Sequence, residues 1–535
     1  LFPYTTLFRS MNIKNRINWN RRIKSLFRLP VFPIWFGPLL LFAPVLFTGL
    51  VIYWGTPLLQ FVPWRFYGLQ QLKQGVLPLW NPLLGMGAPL AANYQSAFFY
   101  PPNWIQFILG WVGGLTALAW SQALVIVLHL VWSGLGMVRL VKKLGLGILA
   151  QSVAGIAFSL SGYLVARAGF LSINSAVSWF PWIVLYASQA TGYPKRFAVL
   201  GQSFSKRTTP FVLCIGMLLL SGHAQTSWYI LLFAGVWVAY WSIVEDRWYG
   251  LWNAVKRAII PFCLGIMLAS IQLLPTLEYL LQSQRSAAVE YETAMTYSYW
   301  PWRLITLFAP GFFGSPASGN YWGYANYWED ADYIGLIPFL MALIVIFKRG
   351  NKKIQIDQTY ESAFFLRLRQ FFIFTIPTIF VIALGKNTPI FPWLYYHIPT
   401  FNLFQAPTRW MIWVVFGLII LASMGIEDWY RPIGRRLDHL KKWIVVSLAV
   451  VLGAGLGLLL VHTVTPSFFS ASLIAGVFGF GAGILTYLAP PKGYRFPVNS
   501  WNWLVTGVVL LDLLIADWGL NPGIDQQLYR YTPNL

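Results

Sequence analysis

Acidic residues are scarce in this sequence and do not occur at all in its first 244 positions. The 535 residues include 38 Lys and Arg but only 16 Asp and Glu, with no carboxylate side chain between Leu1 and Val244. Charged residues make up 10% of the chain and hydrophobic residues 57%, whereas soluble domains are about 25% charged. A soluble core cannot bury so much apolar surface. The composition therefore excludes an ordinary soluble domain and indicates lipid as the main solvent.

Cysteine is nearly absent as well. The two cysteines, Cys214 and Cys263, both fall inside apolar runs, and no CxxC or Cys/His spacing occurs. This excludes a disulfide framework and a Cys/His metal site as the basis of the fold.

Long apolar runs recur along the chain and are separated by polar connections. Runs of this length are typical of transmembrane helices, so the sequence predicts an all-α polytopic membrane protein, a bundle of about 13 transmembrane helices. The stretch 102–116 is apolar but follows two prolines, and we predict an interfacial or re-entrant helix there. We place the spans near residues 31–53, 117–141, 146–164, 175–190, 209–222, 224–243, 258–281, 333–347, 370–386, 407–425, 443–463, 470–489 and 501–517.

The two ends of the chain are interpreted separately from the membrane domain. Residues 1–10 resemble translated adapter sequence, and we expect them to be a non-native leader with the natural start at Met11. The polytopic membrane domain is predicted over 11–517. Residues 518–535 are expected to begin an extracytoplasmic C-terminal region that this chain truncates.

Basic residues are clustered in alternate connections between the apolar runs. With the N-terminus in the cytoplasm, most of the 38 Lys and Arg fall in cytoplasmic segments, which is the positive-inside pattern. The net charge of +22 therefore predicts orientation in a cytoplasmic membrane, N-terminus inside and C-terminus outside, rather than a nucleic-acid partner.

Two predicted external loops are long, 54–104 and 282–332. The first contains rings and carboxamides in alternation, which suits a sugar because rings cover its apolar face while amides bond its hydroxyls. An interfacial belt of Trp and Tyr with turn-forming Asn-Pro elements accounts for the same composition. The candidate sugar-binding residues of this loop are Gln60, Trp80, Asn81, Gln95 and Tyr100.

Several motifs closely resemble those of the YfhO family of membrane proteins. In the first loop these are Leu79-Trp80-Asn81-Pro82 with Gly85, Gly87 and Pro89, then Asn93, Gln95 and Phe99-Tyr100-Pro101. Further along, the matching segments are Gly222-His223-Ala224-Gln225, Gln272 to Glu278 with Arg285, Tyr327-Trp328-Glu329, and Phe404 to Arg409. The resemblance implies a GT-C-type glycosyltransferase. Such an enzyme transfers a sugar from a polyprenyl-phosphate carrier to an acceptor outside the cytoplasmic membrane, such as a cell-envelope glycan, a teichoic-acid-like polymer or a glycoprotein.

The resemblance fails at one position that matters for chemistry. It implies an Asp four residues before Gln60, where this chain has Thr56. A threonine hydroxyl cannot accept a proton from an acceptor hydroxyl near neutral pH. Later carboxylates are the remaining candidates, and we assign Glu329 first, as catalytic base or metal ligand, and Glu278 second. Glu329, Asp330 and Asp332 crowd together, and mutual repulsion is expected to raise the pKa of one of them.

Cationic residues are the candidates for the phosphate of the carrier, because arginine holds a phosphate with paired N–H donors. Arg285 and Arg409 match the family pattern, and anchoring of a span end is the alternative for both. His223 is a further candidate for binding a hydroxyl or phosphate, and Arg65 is a weaker one. The resemblance allows a divalent cation, for which the sequence offers no ligand pattern.

Two other function classes remain open. A transporter or flippase of lipid-linked precursors predicts charged residues at mid-membrane. Only Asp512 is well inside a span, and a structural role for it is the simpler interpretation, while Asp517 is expected to be a solvated end residue. A non-catalytic family member acting as an assembly partner is the other alternative, because the first loop lacks its carboxylate.

Overall fold

A computed structural model of the chain describes residues 29–52, 55–198, 201, 203–283, 288–347, 360–430, 466–488 and 498–530. In these ranges the protein is helical, with two small antiparallel two-stranded sheets as the only strands. The predicted all-α class is confirmed for this part of the chain.

Eighteen helices are described, and we number them in chain order. They are α1 Val31–Leu41, α2 Ala43–Phe47, α3 Val62–Lys73, α4 Trp104–Lys143, α5 Ile148–Ser159, α6 Gly162–Val165, α7 Leu171–Ser178, α8 Phe180–Thr191, α9 Phe204–Leu220, α10 Ala224–Leu268, α11 Ser270–Leu281, α12 Tyr291–Ala294, α13 Leu336–Phe347, α14 Tyr360–Ala383, α15 Ile390–His397, α16 Met411–Tyr430, α17 Pro466–Leu488 and α18 Val498–Asp517. The strands are β1 Leu50–Ile52, β2 Trp80–Asn81, β3 Ala88–Pro89 and β4 Gly523–Asp525.

Six described helices are long and apolar enough to cross a membrane. They are Pro101–Lys143, Ile148–Val165, Ala224–Leu268, Ala363–Ala383, Pro407–Trp429 and Asn499–Asp517. Val31–Leu41, Leu336–Phe347 and Leu473–Leu485 are shorter apolar helices. The chain is thus a multi-pass helical membrane protein. The number of 13 spans stays a prediction, and the predicted span 443–463 lies outside the described residues.

The two longest helices are each interrupted by residues that leave helical geometry. In α4, Gly114 has φ 68°, a conformation that glycine adopts without a steric penalty. The interruption separates residues 104–113, where a distinct interfacial or re-entrant helix was predicted, from the rest of α4. In α10, the interruption is at Asp246 and Arg247, with φ −136° and 54°.

Helices α1, α4 and α5 approach each other closely at glycines. A Cβ added to Gly134 of α4 would lie 3.0 Å from the carbonyl oxygen of Gly155 in α5 and 2.8 Å from Ile34 of α1. Aromatic stacks fill the neighbouring core, including Phe180 on Phe416 with ring centroids 4.2 Å apart. Small residues let these backbones approach, and the rings then fill the space between helices.

Connections predicted to share one side of the membrane contact each other. On the predicted external side, the Thr56 hydroxyl donates to the Gly169 carbonyl at 2.7 Å and Gln272 donates to Ala91 at 2.9 Å. On the opposite side, Lys195 pairs with Asp246 at 2.6 Å, and Glu427 accepts from the Gly147 N–H. The assignment of one end to the cytoplasm stays a prediction.

The described residues after α18 pack back on the end of α2. Strand β4 pairs antiparallel with β1, with Leu50 opposite Asp525 and Ile52 opposite Gly523. The Asn521 side chain donates to the Val165 carbonyl at 2.8 Å. The segment Gly519–Arg530 therefore packs at the same end of the molecule as the first loop.

Candidate functional site

Glu329 lies in a short 3₁₀ helix, Trp328–Asp330, and is the centre of a buried cluster of charges. Its side chain is 5% exposed. The Arg409 Nη2 donates to Glu329 Oε1 at 2.6 Å, and the Arg409 Nε lies 3.2 Å from both carboxylate oxygens. The Arg167 Nη2 lies 3.5 Å from Glu329 Oε2. One carboxylate is therefore the ion-pair partner of two arginines.

Arg409 is positioned by the turn into α16. Ala406 has φ 61°, and the 3₁₀ helix Pro407–Trp410 follows. The Arg409 Nη1 donates to Gln225 Oε1 at 3.0 Å, and the Gln225 amide nitrogen donates to the Gln405 carbonyl at 2.5 Å. This network joins the start of α10 to the start of α16.

His223 precedes Gln225 and caps the N-terminus of α10. Its Nδ1 accepts a hydrogen bond from the Thr226 N–H at 3.1 Å, which satisfies one of the free donors of a helix start. Burial lowers the pKa of His223 to about 3, and the Arg409 charge adds to this effect. The imidazole is therefore neutral at physiological pH. The motif residues His223, Gln225, Glu329 and Arg409, which are far apart in sequence, come together here.

Arg167 was not predicted from the sequence. It is 1% exposed, its Nη2 donates to the Glu329 carbonyl at 2.7 Å, and its guanidinium lies 3.8 Å from the centre of the Tyr163 ring. In the sequence Arg167 is a lone cation after a span, which is typical of aqueous anchoring, so no local signal distinguishes it.

Burial and the two arginines act in opposite directions on Glu329. Burial alone would raise the pKa of this carboxyl, but the charges of Arg409 and Arg167 outweigh it and hold the pKa below its ordinary value. A carboxylate with a lowered pKa is a weaker proton acceptor. The environment of Glu329 therefore favours a counter-ion over a base.

The two neighbouring acids are in a different environment. Asp330 pairs with Arg303, with Oδ2 2.9 Å from Nε, and burial raises its pKa to about 6 against the opposing Arg303 charge. Asp332 is 0% exposed, and neither of its carboxylate oxygens has a hydrogen-bond partner among the described residues. Burial raises the pKa of Asp332 to about 8.

Asp332 lines a small polar cavity, and Asp517 lines it too. The cavity offers about 10 Å³ to the centre of a water molecule, which is room for about one water. Asp517 was expected to be a solvated end residue, and this was wrong: its side chain is 3% exposed because the loop 301–333 covers the end of α18. The lining residues are Gly162, Arg303, Thr306, Pro310, Tyr327, Asp330, Ala331, Asp332, Tyr333 and Asp517.

Asp512, one turn further into α18, has a structural role. It accepts from the Tyr333 hydroxyl at 2.8 and 3.0 Å and from the Leu336 N–H at 2.7 Å. It therefore caps the N-terminus of α13 from a neighbouring helix.

Several of the first-loop residues proposed for sugar binding make separate local contacts in the described part of the chain. Tyr100 is fully buried, with its hydroxyl 2.7 Å from the His129 ring and 2.8 Å from the Trp179 indole nitrogen. The Asn81 side chain closes a turn by accepting from the Leu83 N–H. Trp80 packs over Gly87, where an added Cβ would lie 2.6 Å from the ring. Gln95 is exposed and Gln60 is half-buried.

The first loop nevertheless reaches the His223 turn. A Cβ added to Gly222 would lie 2.9 Å from both the Tyr94 carbonyl oxygen and the Ala97 side chain. Gly222 has φ 90°, so this close approach requires glycine for both space and conformation.

The remaining predicted residues lie elsewhere. Glu278 is exposed on α11, and no side-chain contact joins it to the Glu329 cluster among the described residues. Arg285 lies outside the described residues. Arg65 is 2% exposed and donates to Gln106 Oε1 at 2.9 Å. No group of three or more His, Cys, Asp or Glu side chains in the described ranges is arranged to hold a metal ion.

These observations define a multi-pass helical membrane protein with a buried charge cluster and an acidic cavity at one end. No family model and no curated protein matches the chain. Among solved structures, it is similar to ArnT from Cupriavidus metallidurans, a crystal structure bound to undecaprenyl phosphate. The TM-score is 0.44 at 10% sequence identity, covering 90% of this chain and 76% of that chain.

Proposed function

We propose that this chain is a membrane glycosyltransferase of GT-C type. It transfers a sugar from a polyprenyl-phosphate carrier to a cell-envelope acceptor on the external side of the cytoplasmic membrane. The observation that carries the proposal is the buried Arg167–Glu329–Arg409 cluster beside the Asp332 cavity. Both belong to the end of the bundle where the predicted external connections meet.

The reaction is attack of an acceptor hydroxyl on the anomeric carbon of the lipid-linked sugar. The bond from that carbon to the phosphate oxygen breaks, and the polyprenyl phosphate leaves with the electron pair and a developing negative charge. Cationic donors that are fixed in place stabilise such a charge most effectively. Arg409 fits this role because it is the more accessible of the two arginines on Glu329, with a side chain 12% exposed against 1% for Arg167.

In this proposal Glu329 is the counter-ion of the two arginines and does not take the proton from the acceptor hydroxyl. Two guanidinium groups in a buried site need a counter-ion, and the carboxylate supplies it while orienting the Arg409 fork through two N–H donors. An incoming phosphate would compete with Glu329 for the same guanidinium edge. Arg285 stays a candidate for the same phosphate from the sequence resemblance.

The transporter alternative loses the residue that favoured it, because Asp512 is occupied in capping α13. The non-catalytic scaffold is the remaining rival. It is favoured by Thr56, whose hydroxyl donates to the Gly169 carbonyl and offers no carboxylate in the first loop.

The test is sugar transfer by the purified full chain in liposomes. Undecaprenyl-phosphate-linked hexoses serve as donors, cell-envelope polysaccharide serves as acceptor, and release of free undecaprenyl phosphate is followed. We expect transfer by the wild type and a loss of about 10²-fold or more in Arg409→Gln, the scale of removing one fixed electrostatic donor. Lys386→Gln, which removes an exposed cation on the predicted external side, should transfer at the wild-type rate. No release by the wild type with any donor would favour the scaffold.

A further inference from the structure

We propose that Asp332 is the group that accepts the proton from the acceptor hydroxyl, and that the cavity it lines receives that hydroxyl. The inference rests on the proposed function and names the residue that replaces the missing carboxylate of the first loop.

The Asp332 side chain is buried without a hydrogen-bond partner among the described residues. It is 0% exposed, and the atoms concerned are both carboxylate oxygens. A buried polar group without a partner is costly, and a buried charge is more so. Native proteins tolerate such groups mostly where they have a role other than stability.

The surrounding arginines form ion pairs with the neighbouring carboxylates. Glu329 forms ion pairs with Arg167 and Arg409, and Asp330 forms an ion pair with Arg303. None of these three cations is within ion-pair distance of Asp332 in the described residues. Asp332 is therefore the carboxylate of the cluster that remains available to accept a proton.

The cavity beside Asp332 is small and has a polar lining. Room for about one water molecule is also room for one hydroxyl group. Arg303 and Asp517 line the same cavity, and the Arg303 Nη1 and the Asp517 Oδ2 have no hydrogen-bond partner among the described residues. A hydroxyl donates one hydrogen bond and accepts another, so it can satisfy Asp332 and Arg303 together.

The charge environment supports the same assignment. Burial is the largest influence on Asp332, and Asp330 and Glu329 add to it, while Arg167 and Arg303 oppose it; the net effect raises the pKa to about 8. A general base works best when its pKa is near the working pH. The other titratable groups that line the cavity are Asp517, Tyr327 and Tyr333, and Tyr163 and Tyr299 are close enough to interact electrostatically with Asp332.

The proposed step balances as follows. The acceptor oxygen forms a bond to the anomeric carbon, its proton passes to Asp332, and the bond to the phosphate oxygen breaks. The carrier leaves as polyprenyl phosphate with the electron pair, and no metal, oxidant or reductant is consumed. Asp332 becomes a neutral acid and returns its proton to water when product leaves.

The experiment compares Asp332→Asn with Glu292→Gln, which neutralises an exposed carboxylate of the same predicted loop. We expect kcat to fall about 10²–10⁴-fold in Asp332→Asn, the usual contribution of a general base, and to be unchanged in Glu292→Gln. The wild-type rate should rise with pH toward a plateau above about pH 8, because only the ionised carboxylate accepts a proton. Asp332→Glu should keep a rising limb with a shifted midpoint.

The outcomes separate the two proposals. Transfer by wild type together with an unchanged rate in Asp332→Asn overturns the assignment of Asp332 and leaves the proposed function standing. No transfer by wild type overturns the proposed function and this inference with it. Should Asp332→Asn fail to fold, a wild-type rate independent of pH between about 6 and 9 would still overturn the assignment.

Discussion

The two ends of the helical bundle hold their ion pairs in opposite ways. At the predicted cytoplasmic end, Lys195 and Asp246 pair at 2.6 Å with side chains 52% and 29% exposed. At the other end, Arg167 and Glu329 are 1% and 5% exposed, and Arg303 and Asp330 are 2% and 7% exposed. Distance does not separate the two ends, because the buried Arg409–Glu329 pair is also at 2.6 Å; exposure to solvent does.

This difference separates charges that orient the protein from charges that build a site. Exposed pairs are screened by water and salt and contribute little to stability. Buried pairs carry a desolvation cost, so their presence calls for another reason. Counting Lys and Arg along the sequence detects the charges that orient the protein, because it registers where cations are frequent. The charges that build a site are a few cations in segments where cations are rare, so the count does not detect them.

The largest expected effect comes from removing the counter-ion of the buried cluster. Glu329→Gln leaves Arg167 and Arg409 as buried charges without a carboxylate, and we expect the free energy of unfolding to fall by about 3–5 kcal/mol. Steric trapping in bicelles measures it, with Glu292→Gln as the exposed control. A loss no greater than that of the control would mean that the buried end is as well screened as the other.

A smaller effect is expected at the cap of α13. Asp512→Ala leaves the Leu336 N–H and the Tyr333 hydroxyl without their acceptor, and we expect a loss of about 1–3 kcal/mol. Asp525→Ala is the matched control, because that carboxylate is exposed and water can replace it. Equal stability of the two variants would show that the cap is dispensable.

The smallest effect is expected at the exposed end. Lys195→Ala removes the partner of Asp246, and we expect the free energy of unfolding to change by about 0.2–1 kcal/mol. The difference from wild type should shrink further as salt rises, because exposed pairs are screened. A loss comparable to that of Glu329→Gln would contradict the distinction between the two ends.

Apolar length and motif spacing predicted a good part of the architecture. The all-α class followed from the hydrophobic runs. The separate helix predicted over 102–116 is part of α4, which Gly114 interrupts. The convergence of Gln225, Glu329 and Arg409 was accessible only through the family motifs, because nothing in their spacing brings them together.

The sequence did not predict how deeply each candidate side chain is buried or which residues it contacts. Glu329, Asp330 and Asp332 are close neighbours in the chain, yet one has two arginines, one has a single arginine and one has none. Asp517 ends an apolar run, which suggests solvent, but a distant loop covers it. Tyr100 and Asn81 have the composition of a sugar site but form local packing and turn contacts. These distinctions depend on long-range packing, which side-chain type and spacing do not encode.

The pairing of β4 with β1 constrains the order in which parts of this protein can fold during synthesis. Tyr529 donates to the Ile52 carbonyl across 477 positions of sequence, and the backbone partners of Leu50–Ile52 are in residues 523–525. Those partners emerge from the ribosome only after α18 has been made. The edge of β1 therefore stays unpaired until residues 523–525 are available, so that this long-range sheet closes after the described helices have been synthesised.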